Sequence, residues 1–201
     1  LQATMNWAHD LGHGHTLMAL AHYEMSDQKR STDANDTMSA IPVRYQGLSA
    51  KVGYNYNDTY IVDGNFGYTG SETFAKGFRF GFFPAMGLAW YVSNEPYYPE
   101  VLKKVVNKLK FRFSIGRTGN DDTGGDRFLY RGTMKQDNGG YNLGFSDTGG
   151  MGGIGNGITE ARFEAPYLSW EIEEKTNYGI DLGLFDNHID LQVDYFNNKP
   201  K

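Results

Sequence analysis

The sequence contains no cysteine and no long apolar run, and both absences restrict what the protein can be. Without cysteine the chain cannot form disulfides, a thiol nucleophile or a cysteine-ligated zinc site. No apolar segment approaches the roughly 20 residues that a transmembrane helix needs. An excess of basic residues is also lacking: 24 acidic residues against 19 basic ones give a net charge of −5, so the composition gives no indication of nucleic-acid binding.

Aromatic residues and glycine are abundant instead. Aromatics make up 15% of the 201 residues, and there are 26 glycines. A chain this rich in aromatic side chains cannot keep them all solvated, so the composition excludes a disordered protein. Many turns and large apolar side chains together indicate an all-β fold.

The stretch from Leu168 to Asn198 shows the pattern most clearly. Apolar side chains occupy the even positions of 170–184 except at Glu174 and Thr176, and polar or small ones occupy the odd positions. Asp186-Asn187 then predicts a tight turn, and 189–195 alternates again. Strict period-2 alternation is typical of strands with one apolar and one polar face. A hairpin this long favours a sheet that separates lipid from water. We therefore assign Trp170, Ile180, Leu182, Ile189 and Val193 to the lipid side.

The same alternation predicts six further strands, at 2–9, 16–27, 44–56, 60–69, 78–92 and 108–117. A short helix is expected within 95–108, a local break at Pro84, and a long glycine-rich loop over 118–166. Tight connections after strands one, three and seven alternate with long ones after strands two and six. Short turns at one rim and long loops at the other are typical of outer-membrane barrels.

Aromatic residues also gather near the strand ends. One group lies by the tight turns, and the other lies by the long loops. Such belts are typical of the two interfaces between lipid and water. The first group is Trp7, Tyr54, Tyr56, Tyr60 and Trp90; the second is Tyr23, Tyr68, Phe80, Trp170 and Tyr195.

Several motifs follow one another along the chain. Residues 54–90 contain a Tyr-rich strand, an acidic turn, a strand that begins with Tyr60, a Gly-Ser-x-x-Phe loop at 70–74 and Gly-x-Phe-Pro at 81–84. Gly116, Gly119 and Asn120 end the next strand, and the 168–198 hairpin carries Trp-Glu…Thr-Asn-x-Gly-x-Asp. In this order the motifs resemble the barrel of the SusC/RagA family of TonB-dependent outer-membrane transporters.

The resemblance implies the fold and the setting. It implies an all-β, antiparallel up-and-down transmembrane β-barrel segment of about eight long strands with one short helix. Family members have a 22-strand barrel, a plug and a segment that contacts TonB. They import oligosaccharides or peptides together with a SusD-like surface lipoprotein. We expect residues 1–201 to be a partial barrel domain in the outer membrane of a Gram-negative bacterium, with the plug, the TonB-contact segment and the remaining strands absent, no cofactor and no enzymatic activity.

Two groups of residues are candidates for function. In the 118–166 loop, six side chains suit contact with a substrate or a lid protein: Asp121, Asp122, Asp126, Arg127, Tyr130 and Tyr141. Aromatic rings stack on sugars, and charged groups bind hydroxyls. Ten side chains on the polar faces of the strands are expected to line a water-filled lumen: Lys51, Asp63, Lys110, Arg112, Glu171, Glu173, Lys175, Asp181, Asp190 and Asp194.

Two other protein classes fit parts of the pattern. A soluble all-β carbohydrate-binding module would need its apolar faces packed against a second sheet. The direction of Phe80, Phe82, Leu88 and Trp90 discriminates this class from a membrane barrel. Glu171 and Glu173 share one strand face at roughly 7 Å, as a glycosidase pair could. A mixed-charge lumen accounts for both carboxylates without catalysis.

Three short motifs have weaker alternatives. His9, His13 and His15 could chelate a metal, but a polar, interfacial turn is favoured. The segment from Asn120 to Asp126 gathers oxygen ligands without the order of a calcium loop. Residues 150–155 match G-x-G-x-x-G but lack a flanking strand and helix, so a surface loop is favoured over a nucleotide site. We therefore predict no metal and no cofactor.

Overall fold

The computed structural model describes residues 1–28, 41–124, 128–145, 151–186 and 188–200. Within 136–145 and 151–156 it describes the backbone alone. None of the helices in these ranges has the length and hydropathy that a membrane crossing requires.

Across the described ranges, ten strands form an eight-stranded and a two-stranded antiparallel sheet. The strands are β1 Gln2–Gly12, β2 His15–Gln28, β3 Val43–Tyr56, β4 Tyr60–Ser71, β5 Phe80–Tyr91, β6 Val106–Asn120, β7 Thr133–Phe145, β8 Met151–Arg162, β9 Glu171–Leu184 and β10 Ile189–Pro200. The larger sheet has the order β1-β2-β3-β4-β5-β6-β9-β10, and β7 pairs with β8. The larger sheet is therefore an open meander with β1 and β10 at its edges.

The strand register places apolar and polar side chains on opposite faces of the eight-stranded sheet. Directly paired residues share a face. One apolar row crosses six strands through Tyr54, Val62, Leu88, Phe113, Tyr178 and Tyr195. A neighbouring row on the other side holds Asp63, Gly87, Ser114 and Asn177. The predicted alternation is confirmed, and these sides are called the apolar face and the polar face below.

The apolar face is exposed. Phe80, Phe82, Leu88 and Trp90 keep 47%, 57%, 38% and 38% of their surface accessible. In the part of the chain that the structure describes, the buried hydrophobic residues are Phe74, Tyr98 and Phe128, and all three lie in connections. No described element forms a common core with the apolar face, so the four discriminating side chains do not point into a sandwich.

The two ends of the sheet differ as the sequence predicts. Tight turns join β1 to β2, β3 to β4 and β9 to β10. In the β3–β4 turn, Asn57 and Asp58 both adopt positive φ, near 52° and 51°. Asn and Asp tolerate this conformation because their short side chains bond locally to the backbone. These turns define the tight-turn rim, and the long connections define the loop rim.

The short helix predicted within 95–108 is present as a single turn. A 3-10 turn spans Val92–Asn94, and α1 is one turn long, Glu100–Lys103. Val106 already pairs with Leu184 as the first residue of β6. Of the apolar positions at helical spacing, Val101 and Leu102 lie in α1, whereas Val106 lies in β6. Valine suits a strand because its side chain is β-branched.

The 118–166 segment is not the continuous loop that the sequence predicted. β6 continues to Asn120, and β7 and β8 pair as a separate hairpin. The register of this hairpin shifts at several positions, including between Gln136 and Gly140. Each extra residue in a bulge moves later side chains to the other face. The bulges and the many glycines together removed the period-2 signal.

The break expected at Pro84 affects one side of β5. The β4–β5 pairing continues through Phe66 and Pro84 without a shift. The β5–β6 pairing runs only from Ala85, opposite Gly116, to Tyr91. Proline has no N–H to donate, and Pro84 is the first residue of β5 beyond the β5–β6 pairing.

Candidate functional site

The ten predicted lumen residues all lie on the polar face. Register places Lys51, Asp63, Lys110, Arg112, Glu171, Glu173, Lys175, Asp181, Asp190 and Asp194 on this side of the sheet. Several of them form charge pairs. That the face borders a lumen stays a prediction, but its mixed charge is a property of the fold.

Arg112 is the centre of the charge network. Its Nη2 donates to Asp181 Oδ1 at 2.8 Å and to Asp194 Oδ1 at 3.1 Å, and its Nε donates to Asp181 Oδ1 at 3.1 Å. Side chains of Asn177 and Gln192 also donate to Asp194. Arg112 and Asp181 keep only 27% and 17% of their side-chain surface accessible, so water screens this pair less than an open surface pair.

Gly179 makes the contact between Arg112 and Asp194 possible. It lies between Arg112 on β6 and Asp194 on β10 in the register. A Cβ at this position would lie 2.8 Å from Arg112 Nη2 and 2.7 Å from Asp194 Oδ1. The missing side chain therefore lets the guanidinium reach across β9. The sequence analysis missed this role, although a glycine inside an alternating strand signals a close approach.

Asp63 has a similar environment on β4. It lies directly between Gly53 on β3 and Gly87 on β5, and Lys51 Nζ is 3.4 Å from its Oδ1. A Cβ at Gly53 would come within 2.8 Å of the carboxylate. Glycine neighbours thus leave room for a carboxylate and its cation on the polar face.

The carboxylates proposed as a glycosidase pair have separate partners. Lys175 Nζ lies 3.0 Å from Glu173, and Asn120 Nδ2 donates to Glu171 at 3.3 Å. Lys110 lies over the ring of Tyr91, 4.6 Å from its centroid. These contacts favour an ion-paired surface over a catalytic pair.

The candidate loop residues are only partly described. Asp126 and Arg127 lie outside the described residues, and Tyr141 lies in β7, where only the backbone is described. Arg131 approaches the ring of Tyr130 to 5.6 Å. Asp121 and Asp122 follow β6 directly at the loop rim.

Residues of the possible cation and histidine sites form hydrogen bonds within the protein. Asn120 Oδ1 accepts the amide of Asp122 at 3.0 Å, and Asp122 Oδ1 accepts the amide of Gly124 at 2.9 Å. These oxygens therefore stabilise the turn itself. His15 Nδ1 lies 2.7 Å from the Tyr54 hydroxyl. Within the described ranges, no group of three or more His, Cys, Asp or Glu side chains is placed to hold a metal ion.

An aromatic cluster at the loop rim was not predicted. Trp170 packs against Phe74 and Phe83, with ring centroids 5.4 and 5.2 Å away. Its indole N–H donates to the Arg79 carbonyl at 3.0 Å, and Arg79 Nε donates to the Phe74 carbonyl. The assignment of Trp170 to the lipid side is therefore wrong. It precedes β9, and its indole holds the β4–β5 loop instead of continuing the apolar face.

An aromatic row follows the tight-turn rim and includes Tyr56, Tyr60 and Trp90 of the predicted group. Neighbouring ring centroids lie 4.5 to 6.4 Å apart along His15, Tyr56, Tyr60, Trp90 and Phe111. Glu95 is 8% exposed and accepts the Tyr60 hydroxyl and, at 2.9 Å, the Trp90 indole N–H. One carboxylate thus fixes two rings of the row.

Comparison with known proteins agrees with this architecture. The chain is 30% identical over 149 residues to TonB-dependent receptor P39 of Formosa agariphila, which covers 74% of the chain. It is 28% identical over 147 residues to the TonB-dependent receptor SusC of Bacteroides thetaiotaomicron, which covers 73%. The structure of the RagAB peptide transporter aligns with 99% of the chain at a TM-score of 0.76. The chain belongs to the SusC/RagA family of TonB-dependent receptors.

The chain matches only a small part of each relative. The chain spans only 13% and 14% of the length of the two curated relatives, and 23% of the aligned RagAB chain. Identity to the RagAB chain is 18%, so that likeness concerns the fold. The open eight-stranded sheet is accordingly an incomplete barrel wall. No protein-family model matches the chain.

Substitution of Gly179 tests the charge network of this SusC/RagA-type wall. We expect Gly179→Val to separate Arg112 from Asp194 and to lower the free energy of unfolding by roughly 1–2 kcal/mol, because a charge-assisted bond is lost. Chemical denaturation of the full-length receptor in lipid vesicles measures it. The effect should not add to that of Asp194→Ala, since both remove one contact. Full additivity would show that the valine acts elsewhere.

Proposed function

We propose that the full-length protein containing this chain is an outer-membrane transporter that imports oligosaccharides or peptides with energy transmitted by TonB. In this proposal the chain supplies part of the barrel wall and of the outer loops. The supporting observation is the apolar face, which extends over the eight strands while no described element covers it. In water such a surface would promote aggregation, whereas in a membrane it would contact the hydrocarbon.

Both faces of the sheet suit this setting. The apolar face would meet lipid, and the aromatic row from His15 to Phe111 would lie at the periplasmic interface, where aromatic rings are favoured. The polar face, with its Arg112 network, would border the water-filled lumen. The remaining strands of the barrel would pair with the edge strands β1 and β10, so that no backbone group faces lipid unpaired.

The loop rim is the proposed site of contact with substrate and lid. By the family resemblance, the lid is a SusD-like surface lipoprotein, and TonB is contacted by parts outside this chain. The SusC and RagAB names of similar proteins support this arrangement. The proposed contacts are Asp121, Asp122, Asp126, Arg127, Tyr130 and Tyr141. Rings can stack on sugars or peptide side chains, and charged groups can bind hydroxyls or peptide groups.

Binding and gated passage, not bond cleavage, would be the mechanism. The similar proteins described above are named as receptors and a transporter, and Glu171 and Glu173 have separate partners. A soluble carbohydrate-binding module would need a second sheet over Phe82 and Leu88, and both side chains are exposed.

An uptake assay tests the proposal. Cells that lack the full-length gene should lose accumulation of labelled oligosaccharides or peptides, and the intact gene should restore it. Deletion of tonB or addition of a protonophore should abolish uptake equally, because the energy reaches the barrel through TonB. Uptake that persists without TonB would contradict energy-dependent import. Uptake that is unchanged without the neighbouring lipoprotein would contradict the SusD-like partner alone.

A further inference from the structure

Near the loop rim, the outward side of three adjacent strands changes from apolar to charged residues. Along β6, β9 and β10 the apolar rows are followed by a mixed row of Ile115, Thr176 and Asn197. A charged row of Arg117, Glu174 and Lys199 comes next. All six belong to the outward, apolar side by register. On these three strands the second row is therefore the first charged row of the outward side, toward the long loops.

A cleft of about 490 Å³ opens beside this row. Its apolar wall consists of Pro84, Ala85 and Met86 on β5. It opens here because the β5–β6 pairing stops at Ala85 and Gly116, so the two strands part toward the loop rim. The pairing stops next to Pro84, which has no N–H to donate to a neighbouring strand.

The opposite wall is cationic. Arg117 donates from Nε and Nη2 to Glu174 Oε1, at 3.0 and 2.7 Å. This ion pair fixes the guanidinium plane at the cleft and uses only one edge of it. Lys199 lines the same cleft, so two cations face one carboxylate. The local net charge is +1, whereas the whole chain carries −5.

We propose that this cleft binds the phosphorylated headgroup of a glycolipid in the outer leaflet of the membrane. The inference rests on the proposed membrane position, since that position puts the Arg117–Lys199 row at the level of the outer headgroups. Guanidinium and ammonium groups are the usual partners of phosphate. The apolar wall at Pro84 and Met86 continues into the apolar face, which suits a lipid whose acyl chains lie along the barrel better than a soluble anion.

Binding of purified lipid A to the full-length receptor tests the inference. We expect native mass spectrometry in detergent to show bound lipid A, and the double variant Arg117→Gln/Lys199→Gln to bind it about tenfold more weakly, because two charge-assisted contacts are lost. Lipid A treated with a phosphatase should bind the native protein as weakly as the variant binds the untreated lipid. Equal binding of both lipids would overturn the proposal, as would full competition by inorganic phosphate, which would indicate a site for a soluble anion.

Two further variants separate this site from a general charge effect. Lys175→Gln removes a cation next to Glu174 in sequence, but on the polar face, so lipid A binding should not change. Glu174→Gln raises the charge of the cleft, so binding should strengthen about threefold or more if phosphate is the ligand. Weaker binding to Glu174→Gln would overturn the proposal.

Outer-membrane fractionation and heat-modifiable electrophoretic mobility are measured on each variant. A protein absent from the outer membrane would contradict the proposed function. A properly inserted protein with unchanged lipid binding in the double variant would contradict only the lipid site.

Discussion

Phe74→Ala should lower the free energy of unfolding of the full-length receptor by about 3 kcal/mol, the cost of a cavity left by a buried phenyl ring. Phe74 is 1% exposed and is the largest fully buried side chain in the described ranges. Its ring contacts Trp170, and its carbonyl accepts the Arg79 side chain. Loss of the ring removes what holds the β4–β5 loop against the start of β9. Denaturant unfolding in lipid vesicles measures the global effect.

Phe78→Ala is the matched control in the same loop. Phe78 is 38% exposed, so its removal should cost about 1 kcal/mol or less. Limited proteolysis gives the local result: residues 72–79 should be cleaved faster in Phe74→Ala than in Phe78→Ala, since an unanchored loop opens more often. Equal cleavage of the two variants would show that the aromatic cluster does not hold this loop.

Val52→Lys should destabilise the barrel by about 2–4 kcal/mol, the cost of placing a lysine on the lipid side near the bilayer centre. Val52 lies in the middle of the apolar side of β3, and 51% of its surface is exposed. In a soluble protein an exposed valine tolerates this change, usually within about 0.5 kcal/mol. The size of the effect therefore measures whether this face meets hydrocarbon or water.

Ser49→Lys introduces the same side chain three residues earlier on the polar face. Register pairs Ser49 with His22 and Gly67, and Lys51 already lies on this side of β3. We expect a change of less than about 1 kcal/mol, because a lysine in a water-filled lumen stays hydrated. Similar costs for the two variants in lipid vesicles would contradict the assignment of the faces.

The Arg112 network shows how neighbouring strands of the sheet share charge on the polar face. The residues directly opposite Arg112 on its neighbouring strands are Ala89 and Gly179, both small. Small neighbours let one long cation bond two carboxylates, Asp181 and Asp194, on two different strands. The pairs thus connect β6, β9 and β10 through side chains as well as through the backbone ladder.

The sequence by itself determined the eight strands of the larger sheet, their faces and the family. The side-chain period of a strand is two, so the even and odd positions of the 170–184 and 189–195 stretches assign the faces without any knowledge of neighbours. Alternating short and long connections then order the strands as a meander. The Gly-Ser-x-x-Phe motif marks the loop whose phenylalanine the structure buries, although the motif gave no reason for it.

Only the tertiary structure decided which residues meet across strands and where the pattern fails. Trp170 has the parity of the apolar face, but it lies before the first paired residue of β9, so strand periodicity does not govern its direction. Bulges concealed the β7–β8 hairpin for a related reason, because a bulge with one extra residue reverses the parity. Contacts such as Arg112 with Asp194 depend on register across three strands and on the space left at Gly179. The periodicity of one strand carries no information about that register or that space. Both arise only when segments distant in the sequence pair in the sheet.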